Sequence, residues 1–431
     1  MTEVRVEPVA RVAGEVVVGG DKSISHRALL LGALARGRSF VNNLSAAADV
    51  ESTATCLRAC GGSVRPFGDG RVSLDGAGVG RSLRSPAGPL DCGNSGTTMR
   101  LLSGVLAAHP LEAVLDGDAS LRRRPMDRVA QPLRLMGAEV TTTAGGTAPL
   151  RLRGRSPLRG VEVSLPVASA QLKSAVLLAA LGADRPTTVV EPAASRDHTE
   201  RLLGLCGVPL TVDGCRITVT PAEVEPFGLR IPGDLSSAAF LLGLAAPRHG
   251  SAVRCPGITL NPGRTGVLEV LSAMGAEVDV TETEPAGGVE PVGDVVVRGA
   301  PLHGLVIAGD AVPRCIDELP LLAVLATQAE GTTSIRDAAE LRAKESDRLA
   351  ALVAGLRAMG ARVEEFADGM AIEGPCRLRG TELDAQGDHR LAMAWAVAGC
   401  LADGPTTVLG GDTVAVSYPG FFADLRRLAA D

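Results

Sequence analysis

The sequence predicts an α/β protein of two lobes, each an inside-out α/β barrel of three βαβαββ-type units whose helices are buried and whose strands lie outside them. Three observations predict it: a recurring helix-end motif, a recurring all-apolar helix, and enough chain to fill both lobes. The 431 residues are 45% apolar, ample for a core in more than one domain.

The helix-end motif is an apolar residue, two variable ones, Cys or Met, Gly, two more residues and a final apolar one. It reads "LRACGGSV", "LRLMGAEV", "LGLCGVPL", "LSAMGAEV" and "LRAMGARV", with its glycines at Gly61, Gly137, Gly207, Gly275 and Gly360. Physically this is a helix that stops at a glycine and feeds a strand. The spacings of 76, 70, 68 and 85 residues are too long for a solenoid unit.

The second pattern is a polar start, an apolar helix, a Gly, Pro or charged break, and a short strand. Its six copies begin at Ser25, Asn94, Ser169, Leu235, Asp317 and Asp388; "LSSAAFLLGLAAPRHGSAVRCPG" is typical. Helices apolar almost all round are buried on most faces. Together the patterns give six units of strand, buried helix, strand, outer helix and strand. The sixth ends in "FFADLRRLAAD" with no strand after it, and a strand within residues 1–19 can complete it. The lobes are therefore expected at 20–238, and at 1–19 joined with 239–431.

Composition narrows the function. Forty-three basic and 49 acidic residues give a net charge of −6, which disfavours a nucleic-acid partner. One Trp, one Tyr and seven Phe supply few base-stacking platforms. Nine cysteines without any C-x-x-C spacing argue for reduced thiols rather than disulfides or a zinc site. No segment has the roughly 18 uninterrupted apolar residues of a membrane span, and the N-terminal stretch lacks the basic-then-apolar order of a signal peptide. A cytoplasmic location with no membrane partner is expected.

Chemistry gathers at the starts of the apolar helices. "GGDKSISHRALLL" places Lys22, Ser23 and Arg27 around the first. Cations there oppose the helix dipole, so either an anion sits among them and the free N–H groups or the turn is simply solvated. Asp21 stands where a P-loop requires Gly. "DCGNSGTTMRLLSG" adds Gly96 and Arg100, its glycines serving either close ligand approach or a tight turn. "RRRPMDR" adds Arg124, "SAQLKSA" has Ser169 and Gln171, which are also plausible caps, and "ASRDHTERLL" adds Arg196. His198 has no second His at metal spacing and reads either as structural or as a support behind the residues that touch a ligand.

In "LRAKESDRL", read as helix, Lys344 and Arg348 are four apart and share a face. Such a like-charge pair costs roughly 0.2 to 0.5 kcal/mol and calls for a compensating anion. Glu345 and Arg348, three apart, could equally form a surface pair. Asp317 precedes the fifth apolar helix and Asp388 and Arg390 open the sixth. Cations with a few retained carboxylates, drawn from both lobes, predict a cleft for a small polyanionic substrate and proton transfer within it.

"GDKSISHRALL", "GNSGTTMRLLSG", "RRRPMDR", "SAQLKSA", "DELPLLA", "LRAKESDRL" and "GDHRLAMA", in that order and spacing, resemble the 5-enolpyruvylshikimate-3-phosphate (EPSP) synthases, from about residue 8 to 425. The resemblance implies transfer of the enolpyruvyl group of phosphoenolpyruvate to the 5-hydroxyl of shikimate 3-phosphate, in aromatic amino-acid biosynthesis. It implies no cofactor and no metal, a monomer, and these two substrates as partners. Shikimate 3-phosphate would meet Lys22, Ser23, Arg27, Ser169, Ala170, Gln171, Arg196, Asp317 and Lys344. Phosphoenolpyruvate would meet Lys22, Gly96, Arg124, Gln171, Arg348 and Arg390. Asp317, Glu345 and Lys22 would be catalytic, Asp317 accepting the hydroxyl proton and Glu345 protonating the methylene carbon.

The chain also departs from the family. Val416 stands where many members have a Lys, and "NPGR" differs from the Asn-x-Thr-Arg of glyphosate-tolerant members, while Gly96 keeps the space that glyphosate uses. Sensitivity to glyphosate is left open. The alternative, transfer to UDP-N-acetylglucosamine, is disfavoured because that sister enzyme's first helix begins Lys-Asn and its loop carries a Cys or Asp before Arg-Pro.

Overall fold

The five helix ends close in one way. In the computed structural model, which describes residues 2–68, 70–284 and 288–429, all five motif glycines have positive φ, from 72° at Gly207 to 110° at Gly275. Each glycine N–H bonds back to the carbonyl three residues earlier, and the next N–H bonds to the motif's leading Leu, as in Gly61 to Arg58 (2.9 Å) and Gly62 to Leu57 (2.8 Å). These are Schellman caps, and glycine is there because the left-handed backbone excludes most side chains. The strands Ser63–Gly68, Glu139–Thr141, Leu210–Asp213, Glu277–Thr283 and Arg362–Phe366 follow.

The six apolar stretches form helices Lys22–Leu34, Gly96–Ala107, Ala170–Ala180, Leu235–Ala245, Leu319–Ala326 and His389–Leu401. Nearly every residue in them is buried. For four of these helices the strand before pairs parallel with the strand after, for example Leu90–Asp91 with Glu112–Asp116 and Val306–Ile307 with Gly331–Ile335. The strands after the other two, Arg36–Asn42 and Ala252–Thr259, take their parallel partners from elsewhere in the chain. The two later strands of each complete unit add antiparallel, giving, among the described residues, five four-stranded sheets and one of three strands.

The chain divides into two compact units. The first is Gly20–Ile231 with Pro285–Glu290; the second is Met1–Gly19, Pro232–Glu284 and Pro291–Asp431. In each, a strand distant in sequence completes a sheet. Gly228–Arg230 returns to pair with Arg36–Asn42 in the first. In the second, Glu3–Val6 pairs antiparallel with Thr406–Leu409, and Ala13–Glu15 pairs parallel with the start of Ala252–Thr259. Each unit holds its own core. Within the first, Gly104 lets two buried helices touch, since a Cβ there would lie 2.1 Å from the Ala175 carbonyl oxygen. Among the described residues no helix is long and apolar enough to cross a membrane, and all nine cysteines are free.

Candidate active site

In the first unit the helix Lys22–Leu34 is capped by Asp21, whose carboxylate accepts the Ile24 N–H at 2.9 Å. This anionic cap eases the placing of a cation in the first turn. Lys22 Nζ also pairs with the mostly buried Asp49 at 2.8 Å. Ser23 is half-buried. Arg27 is 2% exposed. Its Nε donates to Thr199 Oγ1 (2.7 Å), its Nη1 to the Ser23 carbonyl (2.9 Å) and its Nη2 to Ser174 Oγ (2.7 Å). All three acceptors are uncharged. Burial accordingly pulls the guanidinium down to about 10, against the raising effect of Glu200 and Asp21, while Arg196 adds to the fall. His26, beside it, is held well below 6.5 by burial and by Lys22 and Arg27.

Gly96 opens the second buried helix, capped by Ser95 through the Thr98 N–H at 3.0 Å. A Cβ at Gly96 would lie 2.8 Å from Arg100 Nη1 and 2.9 Å from Arg124 Nη1. The missing side chain therefore lets two guanidiniums converge over a helix N-terminus, an arrangement suited to an anion. Arg100 Nη1 donates to Gln171 Oε1 (2.6 Å), and the Gln171 amide donates to Thr97 Oγ1 (3.0 Å). Arg124 Nη2 donates to Asn94 Oδ1 at 2.7 Å. Ser169 caps the helix that Ala170 and Gln171 begin, with its oxygen 3.4 Å from the Leu172 N–H. Arg196 is half-buried in the loop before helix His198–Leu205, and His198 is taken up by a 2.6 Å bond to Glu290. Arg122 is exposed and pairs with Asp116.

The second unit holds Asp317, Lys344, Glu345, Arg348 and Arg390. Here the expected continuous helix through "LRAKESDRL" is broken. Ala339–Ala343 is a 3₁₀ turn, Lys344 is extended (φ −85°, ψ −154°), and the α-helix starts at Arg348. The reason is local: Asp347 accepts the Ala350 N–H at 3.0 Å, and the preference of Asp for the N-cap outweighs the helical leaning of the surrounding Ala and Leu. Lys344 and Arg348 are consequently not stacked on one helix face.

Arg348 is 1% exposed. Its Nε and Nη2 fork onto Asp388 at 2.7 and 3.2 Å, and Nη2 also donates to Glu345. Its Nη1 lies 3.5 Å from Asp317 Oδ1, and Lys344 Nζ lies 3.7 Å from that same oxygen. The anion between the two cations is thus a side chain of the protein. The Glu345–Arg348 pair exists, but it is buried rather than at the surface. Burial alone would lower the Arg348 pKa; Asp388, Glu345 and Asp317 outweigh it and hold the group above its ordinary value. Arg390 follows the cap Asp388, which accepts its N–H at 2.9 Å, and its Nη1 donates to the Ser236 carbonyl at 3.2 Å. Ser236 in turn bonds Glu318 and Arg264.

Sequence reasoning passed over several of these partners. Asp234 is the N-cap of a buried helix, as Asp388 is, and the capping pattern was a usable signal for it. Lys173 is a lone cation inside an apolar helix, which is itself a signal, and it is buried against Glu191 and Glu200. Nothing local marks those two glutamates.

The family model described as EPSP synthase (3-phosphoshikimate 1-carboxyvinyltransferase) matches residues 6–425. A 3-phosphoshikimate 1-carboxyvinyltransferase of Roseiflexus castenholzii is 51% identical over 424 residues, 97% of each chain. One from an Anaeromyxobacter species is 52% identical over 418 residues, 96% of each. The solved EPSP synthase of Acinetobacter baumannii superposes with a TM-score of 0.87 at 40% identity, covering 99% of this chain and 98% of its own. The enolpyruvyl transferase NikO of Streptomyces tendae, at 19% identity and a TM-score of 0.77 over 99% and 97% of the two chains, shares the fold.

Proposed function

The chain belongs to the EPSP synthase family, and from that membership we propose how its residues divide the reaction. The reaction transfers the enolpyruvyl group of phosphoenolpyruvate to the 5-hydroxyl of shikimate 3-phosphate and releases phosphate. What carries the division is the convergence of Arg100 and Arg124 over Gly96: two cations meeting at the N-terminus of a helix fit the phosphate or carboxylate of phosphoenolpyruvate.

Arg348 and Arg390 serve the same substrate. Lys22, Ser23, Arg27, Ser169, Ala170, Gln171 and Arg196 hold shikimate 3-phosphate, with Lys22 and Gln171 also reaching phosphoenolpyruvate; Lys344 and Asp317 meet the shikimate ring. Asp317 has two cations within 3.7 Å of one oxygen, which favours its ionised form and suits it to accept the hydroxyl proton. The freed oxygen attacks the central carbon of phosphoenolpyruvate while Glu345 gives a proton to the methylene carbon, forming a tetrahedral ketal. In the second half the carbon–oxygen bond to phosphate breaks, Glu345 takes a proton back from the new methyl group, and the Asp317 proton leaves with phosphate. Both carboxylates end as they began.

An anionic substrate arriving beside Arg348 weakens the hold of that cation on Glu345 and raises the affinity of Glu345 for a proton. Substrate binding thereby prepares the acid. The test is phosphate release from phosphoenolpyruvate by the purified protein. It is expected only when shikimate 3-phosphate is also present, with Glu345→Gln and Lys22→Ala folded and nearly inactive; no release with both substrates present would defeat the reading.

A further inference from the structure

Arg196 sits in the least regular part of the first unit's site. Residues 191–197, between strand Thr187–Val190 and helix His198–Leu205, form neither helix nor strand, so secondary structure does not fix the residue. What holds this loop is a buried ionic cluster that the reaction as described above does not use. Lys173, 2% exposed, lies 2.8 Å from Glu191 and 2.7 Å from Glu200, which are 1% and 6% exposed. Lys173 Nζ also donates to the Ser195 carbonyl at 3.2 Å, and the Ser195 hydroxyl donates to the Glu191 carboxylate. Both the carbonyl and the hydroxyl of the residue before Arg196 are therefore tied to one buried cluster.

Stability alone does not account for such a cluster. Burying charges costs several kcal/mol per ion, and well-packed apolar residues often replace a buried pair without loss. The cluster also sets two carboxylates against a single ammonium. What it supplies is fixed geometry at a loop residue whose guanidinium must be aimed. We propose that Glu191 and Lys173 are positioning residues: they clamp Ser195 at its hydroxyl and its carbonyl and so fix the backbone from which Arg196 reaches an anionic group of the substrate. The proposal rests on the reading above, in which that group belongs to shikimate 3-phosphate. It adds three residues, Lys173, Glu191 and Ser195, to those that set affinity for that substrate.

The test uses the full chain with Ser195→Ala, Glu191→Gln, Arg196→Ala and the double variant Ser195→Ala/Arg196→Ala. Ser195→Ala and Glu191→Gln are each expected to raise KM for shikimate 3-phosphate about tenfold, because small misplacements of a positioned group are costly, while kcat and KM for phosphoenolpyruvate stay within about twofold. The thermal midpoint checks that the variants are folded. In the Arg196→Ala background, Ser195→Ala should add less than about twofold, since residues acting through one another are not additive. An unchanged KM in the single variants, a full additional penalty in the double variant, or a normal KM in Arg196→Ala would overturn the clamp. Calorimetric binding of shikimate 3-phosphate gives the same comparison without turnover, so an inactive wild-type protein that still binds it would count against the reaction and leave the clamp decided by affinity.

Discussion

Arg27 in the first unit and Arg348 in the second are both almost wholly buried, yet they are held in opposite ways. Arg27 gives its hydrogen bonds to two hydroxyls and a carbonyl; Arg348 gives its own to three carboxylates. Burial prevails at the first and lowers its pKa, while counter-charge prevails at the second and raises it. A buried cation with only neutral groups in contact gains most from an incoming anion, which suits binding. A cation surrounded by carboxylates instead sets the proton affinity of those carboxylates, which suits proton transfer. The same residue type thus serves two functions, decided by its neighbours.

The sharpest way to break this comparison is to remove each guanidinium. Arg348→Met leaves Asp388 buried without its cation and should cost about 3 to 5 kcal/mol. Arg27→Met leaves Thr199 and Ser174, which already bond each other at 2.6 Å, and should cost only about 1 to 2 kcal/mol. Denaturant unfolding measures both, and equal losses would end the distinction. Gly96→Ala sharpens it on the binding side: a methyl group displacing the Arg100 and Arg124 guanidiniums should raise KM for phosphoenolpyruvate about tenfold, a loss near 1.4 kcal/mol, with the melting temperature little changed.

A smaller effect follows from His26. Its folded pKa is depressed, so its stabilising contribution is complete above 6.5 and is lost as the pH falls from there toward the folded pKa. Between pH 6.5 and 5.5 stability should drop by about 1 kcal/mol from this group, and His26→Asn should flatten that limb in pH-dependent melts. An identical limb in the variant would assign the acid sensitivity elsewhere, for instance to the buried His109, whose pKa burial also lowers.

Much of the fold could be read from the sequence because its signals are local. A Schellman glycine and an all-apolar helix are each complete within a dozen or so residues, and both patterns found their elements. The break before Arg348 escaped because two local rules compete there, and the Asp347 cap prevails over the helical run. The site was legible as far as helix starts go. Its pairings were not: Arg27 meets partners 147 and 172 residues away, and Lys173 meets glutamates on a loop and a different helix. Such contacts depend on how the units of the repeat stack, and no single segment encodes them.

The proton assigned to Glu345 gives the most direct test. In D₂O an exchangeable carboxyl delivers deuterium to the methylene carbon, and the elimination that follows removes one of three methyl hydrogens. The product's vinyl group should therefore carry deuterium when formed by the unsubstituted enzyme. Product formed in D₂O with an undeuterated vinyl group would contradict proton transfer at that carbon and, with it, the role given to the carboxylates around Arg348.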